Sequence, residues 1–188
     1  MIVLNIIDLL LLALGLSMDA FAVSICKGLS LGRIRWKHMF IAGSWFGGFQ
    51  FLMPVIGYYA GRLFTDFIAS YNHWISFLIL AAIGINMIWE SFGKTESCDA
   101  NMSLVPMFML AVATSIDALA VGVTFAFMDI AILPSALTIG VTTFICSAGG
   151  VKTGSLFGMK YKTGAVRLGG TVLIILGLKI LLEGVGIV

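Results

Sequence analysis

One thirteen-residue stretch decides the fold, because it occurs twice in the chain. Residues 12–24 read LALGLSMDAFAVS and residues 110–122 read LAVATSIDALAVG, with the same amino acid at seven of the thirteen positions. Both copies are apolar except for hydroxyl side chains and a single acid, which is Asp19 in the first copy and Asp117 in the second. The chain therefore contains an internal repeat that places an aspartate at the same point of each copy.

The composition places both copies in a membrane. Of the 188 residues, 60% are apolar and 11% are charged, whereas soluble domains have roughly 45–50% and about 25%. A helix needs about 20 apolar residues to cross a bilayer, so the chain has room for at most six or seven spans and for no sizeable soluble domain. The net charge of +2 is too small to indicate a nucleic-acid partner. The predicted spans cover residues 3–26, 39–61, 74–92, 104–127, 132–156 and 166–187.

The basic residues predict the orientation of these spans. The first, third and fifth loops hold eight of the eleven Lys and Arg residues, and loops rich in these residues face the cytoplasm. Both termini are then expected outside. The polar segment 93–103 is expected to be a cytoplasmic linker between a first three-helix repeat, 1–92, and a second, 104–188. Because three crossings are an odd number, the second repeat would enter the membrane from the opposite side.

The predicted fold class is therefore an all-α membrane protein with six transmembrane helices, arranged as two inverted three-helix repeats. The similarity extends past the first helix of each half, since Gly57-x-x-x-Gly61 in the second span matches Gly150-x-x-x-Gly154 in the fifth. Such small residues allow close helix packing, either within one chain or in a homodimer. Inverted repeats are common in secondary transporters, which hold their substrate near the midplane where the halves meet.

Asp19 and Asp117 fall near the middle of their predicted spans. A charged aspartate there costs on the order of 3 kcal/mol, so it normally faces the protein interior or an aqueous cavity. Each acid-bearing helix also carries small residues on its opposite face, which predicts packing on two sides. We expect the two acids to converge where the halves meet, with a hydrogen-bonded packing role as the alternative.

Two carboxylates with neutral oxygen ligands suit a hard divalent cation such as Mg²⁺, Ca²⁺ or Mn²⁺ and balance its charge. Gln50 and Thr143 occupy equivalent places in the second helix of each half. The neutral side chains can equally well join helices without touching an ion. The candidate neutral donors are Ser17, Ser115, Thr114, Gln50 and Thr143.

Charged residues near the span ends have more than one candidate role. Glu90 and Glu183 end the third and sixth spans, and we interpret them as interfacial acids, with a gate or proton relay as the alternative. Lys179 precedes Glu183 by one helical turn and is in position to pair with it. Lys152 is expected to extend toward the membrane interface. The three cysteines are widely separated in sequence and are expected to behave as small apolar residues or an unreactive thiol.

Several motifs together resemble one protein family over nearly the whole chain. They are SMDAFAVS at residues 17–24 followed by Lys27-Gly28, MPVIGYYAG at 53–61, NHWI at 72–75 and ATSIDALAVG at 113–122. This pattern resembles the MntP family of manganese efflux pumps, within the LysE-type transporter superfamily. The resemblance implies a six-helix exporter of Mn²⁺ in the inner membrane, with Asp19 and Asp117 as transport residues. Gln50 stands where some members have Glu.

The expected mechanism is alternating access, with Mn²⁺ as substrate and no cofactor. Exporting a divalent cation against 100 mV costs about 4.6 kcal/mol, and the chain has no phosphate-binding G-x-x-x-x-G-K-[ST] motif. Proton antiport through the same carboxylates is therefore the simplest coupling.

Other functions are open at this point. The chain could export another divalent metal or an amino acid, or serve as a structural membrane subunit. An intramembrane aspartyl protease also places two acids on separate helices, but the G-x-G-D arrangement of such enzymes is absent. We do not expect an enzyme.

Overall fold

The computed structural model describes residues 5–31, 34–63, 72–90, 102–157 and eight residues between 167 and 182. Those eight residues are all helical. Within the described residues there is no β-strand and the architecture is all-helical. The helices are α1 (Ile6–Leu31), α2 (Trp36–Arg62), α3 (Asn72–Glu90), α4 (Leu104–Thr114), α5 (Ile116–Phe127) and α6 (Ile132–Phe157).

Several helices are long and apolar enough to cross a membrane. These are α1, α2 and α6, and the bent pair α4–α5 counts as a fourth span, whereas α3 contains a shorter apolar helix, Trp74–Ile83. Large apolar side chains such as Phe40, Leu137 and Ile145 are exposed, while Gln50 and several hydroxyl residues are buried. So many exposed large apolar side chains are unusual for a soluble protein and typical of a multi-pass membrane protein.

Two expectations about the predicted spans are wrong. The first helix does not end at residue 26 but continues to Leu31, so Lys27, expected in a loop, lies inside α1 and is only 4% exposed. The fourth predicted span is not one helix, because it bends by 40° at Ser115. The segment 93–101 and Glu183 lie outside the described residues.

The helices of the two halves pack on one another. The most extensive contacts join α1 with α6, and α2 with both α6 and α5. Glycines make these contacts close, since a Cβ on Gly57 would collide with the carbonyl oxygen of Leu119 and one on Gly150 would lie 2.8 Å from that of Phe21. The two G-x-x-x-G patterns are therefore used for packing inside one chain.

The order of contacts gives the helix directions. Along α2, Gly43 faces Phe144 while Phe51 faces Gly140, so α2 and α6 are antiparallel. The same reasoning makes α1 parallel to α6, because Gly150 meets Phe21 and, one turn later, Gly154 meets Ile25.

Two further side-chain expectations differ from the structure. Cys26 is disulfide-bonded, so it is not simply a small apolar residue, whereas Cys146 is a free thiol. Lys179 forms an ion pair with Asp8 at the start of α1. Because Asp8 belongs to the first predicted span and Lys179 to the last, this pair joins the two ends of the chain.

Candidate metal site

Gln50 connects the two segments of the repeat that each carry an aspartate. Its side chain is fully buried in α2. The amide Nε2 donates to the main-chain carbonyl of Leu16 at 2.9 Å and to that of Thr114 at 3.4 Å. Leu16 immediately precedes Ser17-Met18-Asp19, and Thr114 immediately precedes Ser115-Ile116-Asp117. One nitrogen atom therefore links both acid-bearing segments.

The second of these segments is a broken helix. Ser115 has φ −109° and ψ 3°, outside the helical region, and it separates α4 from α5. The Thr114 hydroxyl donates to the carbonyls of Leu110 at 2.9 Å and Ala111 at 3.3 Å, and hydroxyl groups that bond back in this way tend to bend helices. Discontinuous helices of this kind line substrate sites in many transporters.

The break gives the two acids different backbone surroundings. Asp117 lies in the first turn of α5, where unpaired N–H groups and the helix dipole favour a negative charge. Asp19 lies in the middle of the uninterrupted α1. Both residues are partly buried. Equivalent positions in the repeat are therefore not equivalent in local structure.

The predicted packing of these helices on two sides holds for α1 and only partly for the second copy. In α1, small residues on both faces are buried, including Gly15 and Ala22 beside the acid and Ala20 opposite it. In the second copy, Ala118 on the opposite face is buried, but Ala113 on the acid-bearing face is exposed.

Three of the five predicted neutral donors keep a buried oxygen atom with no hydrogen-bond partner. These atoms are Gln50 Oε1, Ser115 Oγ and Thr143 Oγ1. A buried polar group left unpaired costs roughly 1–3 kcal/mol, so such atoms call for a partner beyond the protein. The Ser17 hydroxyl differs, because it donates to the Leu14 carbonyl at 2.9 Å. The Thr114 hydroxyl likewise has partners, the carbonyls of Leu110 and Ala111 in its own helix.

No large acidic or nitrogen-rich cluster accompanies them. Within the described part of the chain, no group of three or more His, Cys, Asp or Glu side chains comes together. An ion held by Asp19 and Asp117 would therefore need neutral oxygen atoms to complete its coordination. Glu90 is the last residue of α3, and Lys152 is exposed on α6.

Sequence reasoning missed several features of the structure. The helix break had one available signal, since Thr114-Ser115 stands where the first copy has Leu16-Ser17. The two hydrogen bonds of Gln50 had none, because they depend on how three helices meet. Further buried hydroxyls without a partner were also not expected, namely Ser24, Ser76 and Ser147.

Comparisons with known proteins agree with one another. A family model named Mntp, described as "Putative manganese efflux pump", matches residues 33–181. The relative from Desulfitobacterium hafniense is 53% identical over 96% of each chain. The relative from Acetivibrio thermocellus is 50% identical over 97% of this chain and 93% of its own. The relative from Campylobacter jejuni is 50% identical over 94% of this chain and 95% of its own.

These three relatives are all named "Putative manganese efflux pump MntP". No solved structure matches the chain. The family model and the relatives cover the helices that carry Gln50, Thr143 and the second acid, and the relatives extend to nearly the full length. The chain therefore belongs to the MntP family.

Proposed function

We propose that this protein exports Mn²⁺ from the cytoplasm across the inner membrane. The observation that carries the proposal is the group of buried oxygens without hydrogen-bond partners, Gln50 Oε1, Ser115 Oγ and Thr143 Oγ1. Gln50 lies on α2, which packs against α5, and Thr143 lies on α6, which packs against α1. Ser115 lies two residues before Asp117. The names of the relatives indicate manganese as the ion.

The two halves form inverted repeats in this proposal, and the contacts support it. By the alignment of the repeats, Gly57 corresponds to Gly150 and Leu119 to Phe21, and both glycines touch the other half at the corresponding residue. Leu16 and Thr114 also correspond, and both bind the Gln50 amide. A pseudo-two-fold axis in the membrane plane accounts for each of these pairings.

The helix directions and the aromatic residues support the proposed topology. The antiparallel α2 and α6, and the parallel α1 and α6, have the directions expected for spans two, five and one of six. Trp36 and Trp89 are exposed near the predicted cytoplasmic ends of their helices, and Tyr59 and Trp74 near the predicted outer ends. Trp and Tyr concentrate at both membrane interfaces. Both termini then lie outside.

The ion would bind Asp19 and Asp117, with Ser115, Gln50 and Thr143 as neutral donors. Rocking of the halves would expose the ion to each side in turn. Since metal binding requires deprotonated carboxylates, protons returning through the same acids supply the coupling that export against the membrane potential needs. Transport of other divalent metals tests the choice of Mn²⁺, because hard-oxygen ligands discriminate weakly among these ions.

The test is transport by purified protein in proteoliposomes, with a panel of divalent metals and internal pH recorded together. Asp19→Asn and Asp117→Asn should each abolish Mn²⁺ transport while leaving membrane insertion intact. Asp129→Asn is the matched control, because Asp129 is an exposed acid in the turn after α5 with φ 50°, a conformation that Asn tolerates. Transport at the wild-type rate by Asp19→Asn or by Asp117→Asn would reject the assignment of these two acids as ion ligands.

A further inference from the structure

We propose that Gln50 is a positioning residue that sets the spacing between the two acid-bearing segments. Its amide holds the carbonyl groups of Leu16 and Thr114 on one nitrogen atom. The inference rests on the proposed function, since the spacing matters only if Asp19 and Asp117 act on one ion. It assigns the nitrogen end of the side chain a role separate from that of its oxygen.

The amide replaces a hydrogen bond that the helix break removes. Across the break, the Ser115 N–H donates to the Val112 carbonyl and the Leu119 N–H donates to the Ser115 carbonyl, both at 3.1 Å. Within the described residues this backbone ladder skips the Thr114 carbonyl, which accepts the Gln50 amide. Carbonyls at a helix end need such a partner when they are buried. Gln50 therefore caps α4 from a different helix.

The same amide also binds the Leu16 carbonyl in α1, so the cap is tied to the first half of the chain. An amide nitrogen has two N–H groups, which is the number needed to serve both carbonyls. The opposite end, Oε1, stays buried and unpaired. Because the amide is planar, anchoring its nitrogen also fixes where its oxygen points.

The helix that carries Gln50 is itself weakened at this residue. Pro54 lies one turn later inside α2, and proline has no N–H to donate to the Gln50 carbonyl. The Gln50 carbonyl therefore lacks the backbone partner that it would have in an uninterrupted helix. A movement of α2 at this point would change the position of the side chain that links the halves.

Substitution by Glu separates positioning from ion binding. An ionised Glu has no donor and would turn oxygen atoms toward two carbonyls, whereas a protonated Glu has one O–H donor. For Gln50→Glu, the ratio of variant to wild-type Mn²⁺ transport should therefore rise as the pH is lowered. If Gln50 were only an ion ligand, the added carboxylate would make this ratio rise with increasing pH. A flat ratio or one that rises with pH overturns the inference.

Substitution by Leu gives a readout that does not depend on transport. In Gln50→Leu, backbone amide exchange in the peptides around residues 110–119 should increase in metal-free protein, because the cap is lost. Mn²⁺ affinity should fall by at least about tenfold, the equivalent of one hydrogen bond at the upper end of its range, because the variant loses both amide hydrogen bonds and the Oε1 donor. Ser44→Leu is the control, since Ser44 is exposed on the same helix. Unchanged exchange in Gln50→Leu contradicts the inference.

The two proposals fail in distinguishable ways. If the Asp19→Asn and Asp117→Asn proteins still transport Mn²⁺, the proposed function fails whatever Gln50 does. If those variants are inactive while Gln50→Leu keeps wild-type exchange and affinity, only the role of Gln50 is rejected. Should Gln50→Leu not fold, the pH profile of Gln50→Glu decides.

Discussion

Gly47 of α2 and Gly140 of α6 lie back to back at the crossing of their helices. A Cβ on Gly47 would lie 2.8 Å from the carbonyl oxygen of Gly140, and one on Gly140 would lie 3.0 Å from that of Gly47. The two residues correspond in the repeat, as Gln50 and Thr143 do one turn further along. A contact between corresponding residues is expected on a pseudo-two-fold axis, so this crossing is the natural centre of the proposed repeat.

The first prediction concerns these two glycines. Gly47→Ala and Gly140→Ala should each lower the free energy of unfolding by about 1–3 kcal/mol, because the added methyl group presses on backbone that must shift. Thermal unfolding in detergent, followed by intrinsic fluorescence, measures the effect. Gly48→Ala and Gly149→Ala are matched controls, since a Cβ at either meets nothing within 4 Å. Equal melting temperatures for all four variants would contradict the close crossing.

The second prediction concerns the unpaired oxygens. Thr143→Val and Ser115→Ala remove buried hydroxyls that have no partner, so the metal-free protein should be as stable as wild type or slightly more so. Mn²⁺ should nevertheless stabilise these variants less than wild type, because a donor has been lost.

Thermal unfolding with and without Mn²⁺ measures both quantities. Ser17→Ala serves as a comparison, because the Ser17 hydroxyl already donates to the Leu14 carbonyl and its loss should change metal binding less. The reverse result, lower metal-free stability with unchanged stabilisation by Mn²⁺, would assign Thr143 and Ser115 a purely structural role.

The third prediction is the direction of the pH dependence. Carboxylates must lose their protons before they bind a metal ion, so Mn²⁺ affinity of the wild-type protein should fall as the pH is lowered. Binding should also release protons, which calorimetry in buffers of different ionisation enthalpy measures. Affinity that does not change with pH, with no proton release, would remove the basis for proton antiport through Asp19 and Asp117.

The fourth prediction concerns the ion pair between Asp8 and Lys179. Both residues belong to predicted membrane spans, where an unpaired charge is costly, so the two substitutions together should destabilise the protein by less than the sum of the single ones. A double-mutant cycle with Asp8→Asn and Lys179→Met, read from thermal unfolding, measures the difference. We expect both single variants to transport Mn²⁺. Loss of transport with stability retained would instead identify the pair as part of a gate.

Much of the fold follows from local features of the sequence. Hydropathy predicted the long helices α1, α2 and α6, because a helix that faces lipid must be apolar over its whole length. The repeat identified Asp19 and Asp117 as a pair, and membership of the MntP family confirms the resemblance that these motifs carried. Whether the two acids hold one ion stays a prediction.

Other features required the packed structure. The burial of Lys27 and the pairing of Lys179 with Asp8 both depend on neighbours that are distant in sequence. Gln50 is the clearest case, since its amide binds carbonyl groups from two other helices. Hydropathy and periodicity report which residues share a helix face. Hydrogen bonds between helices need a donor and an acceptor within about 3 Å of each other, and only the tertiary arrangement decides where that happens.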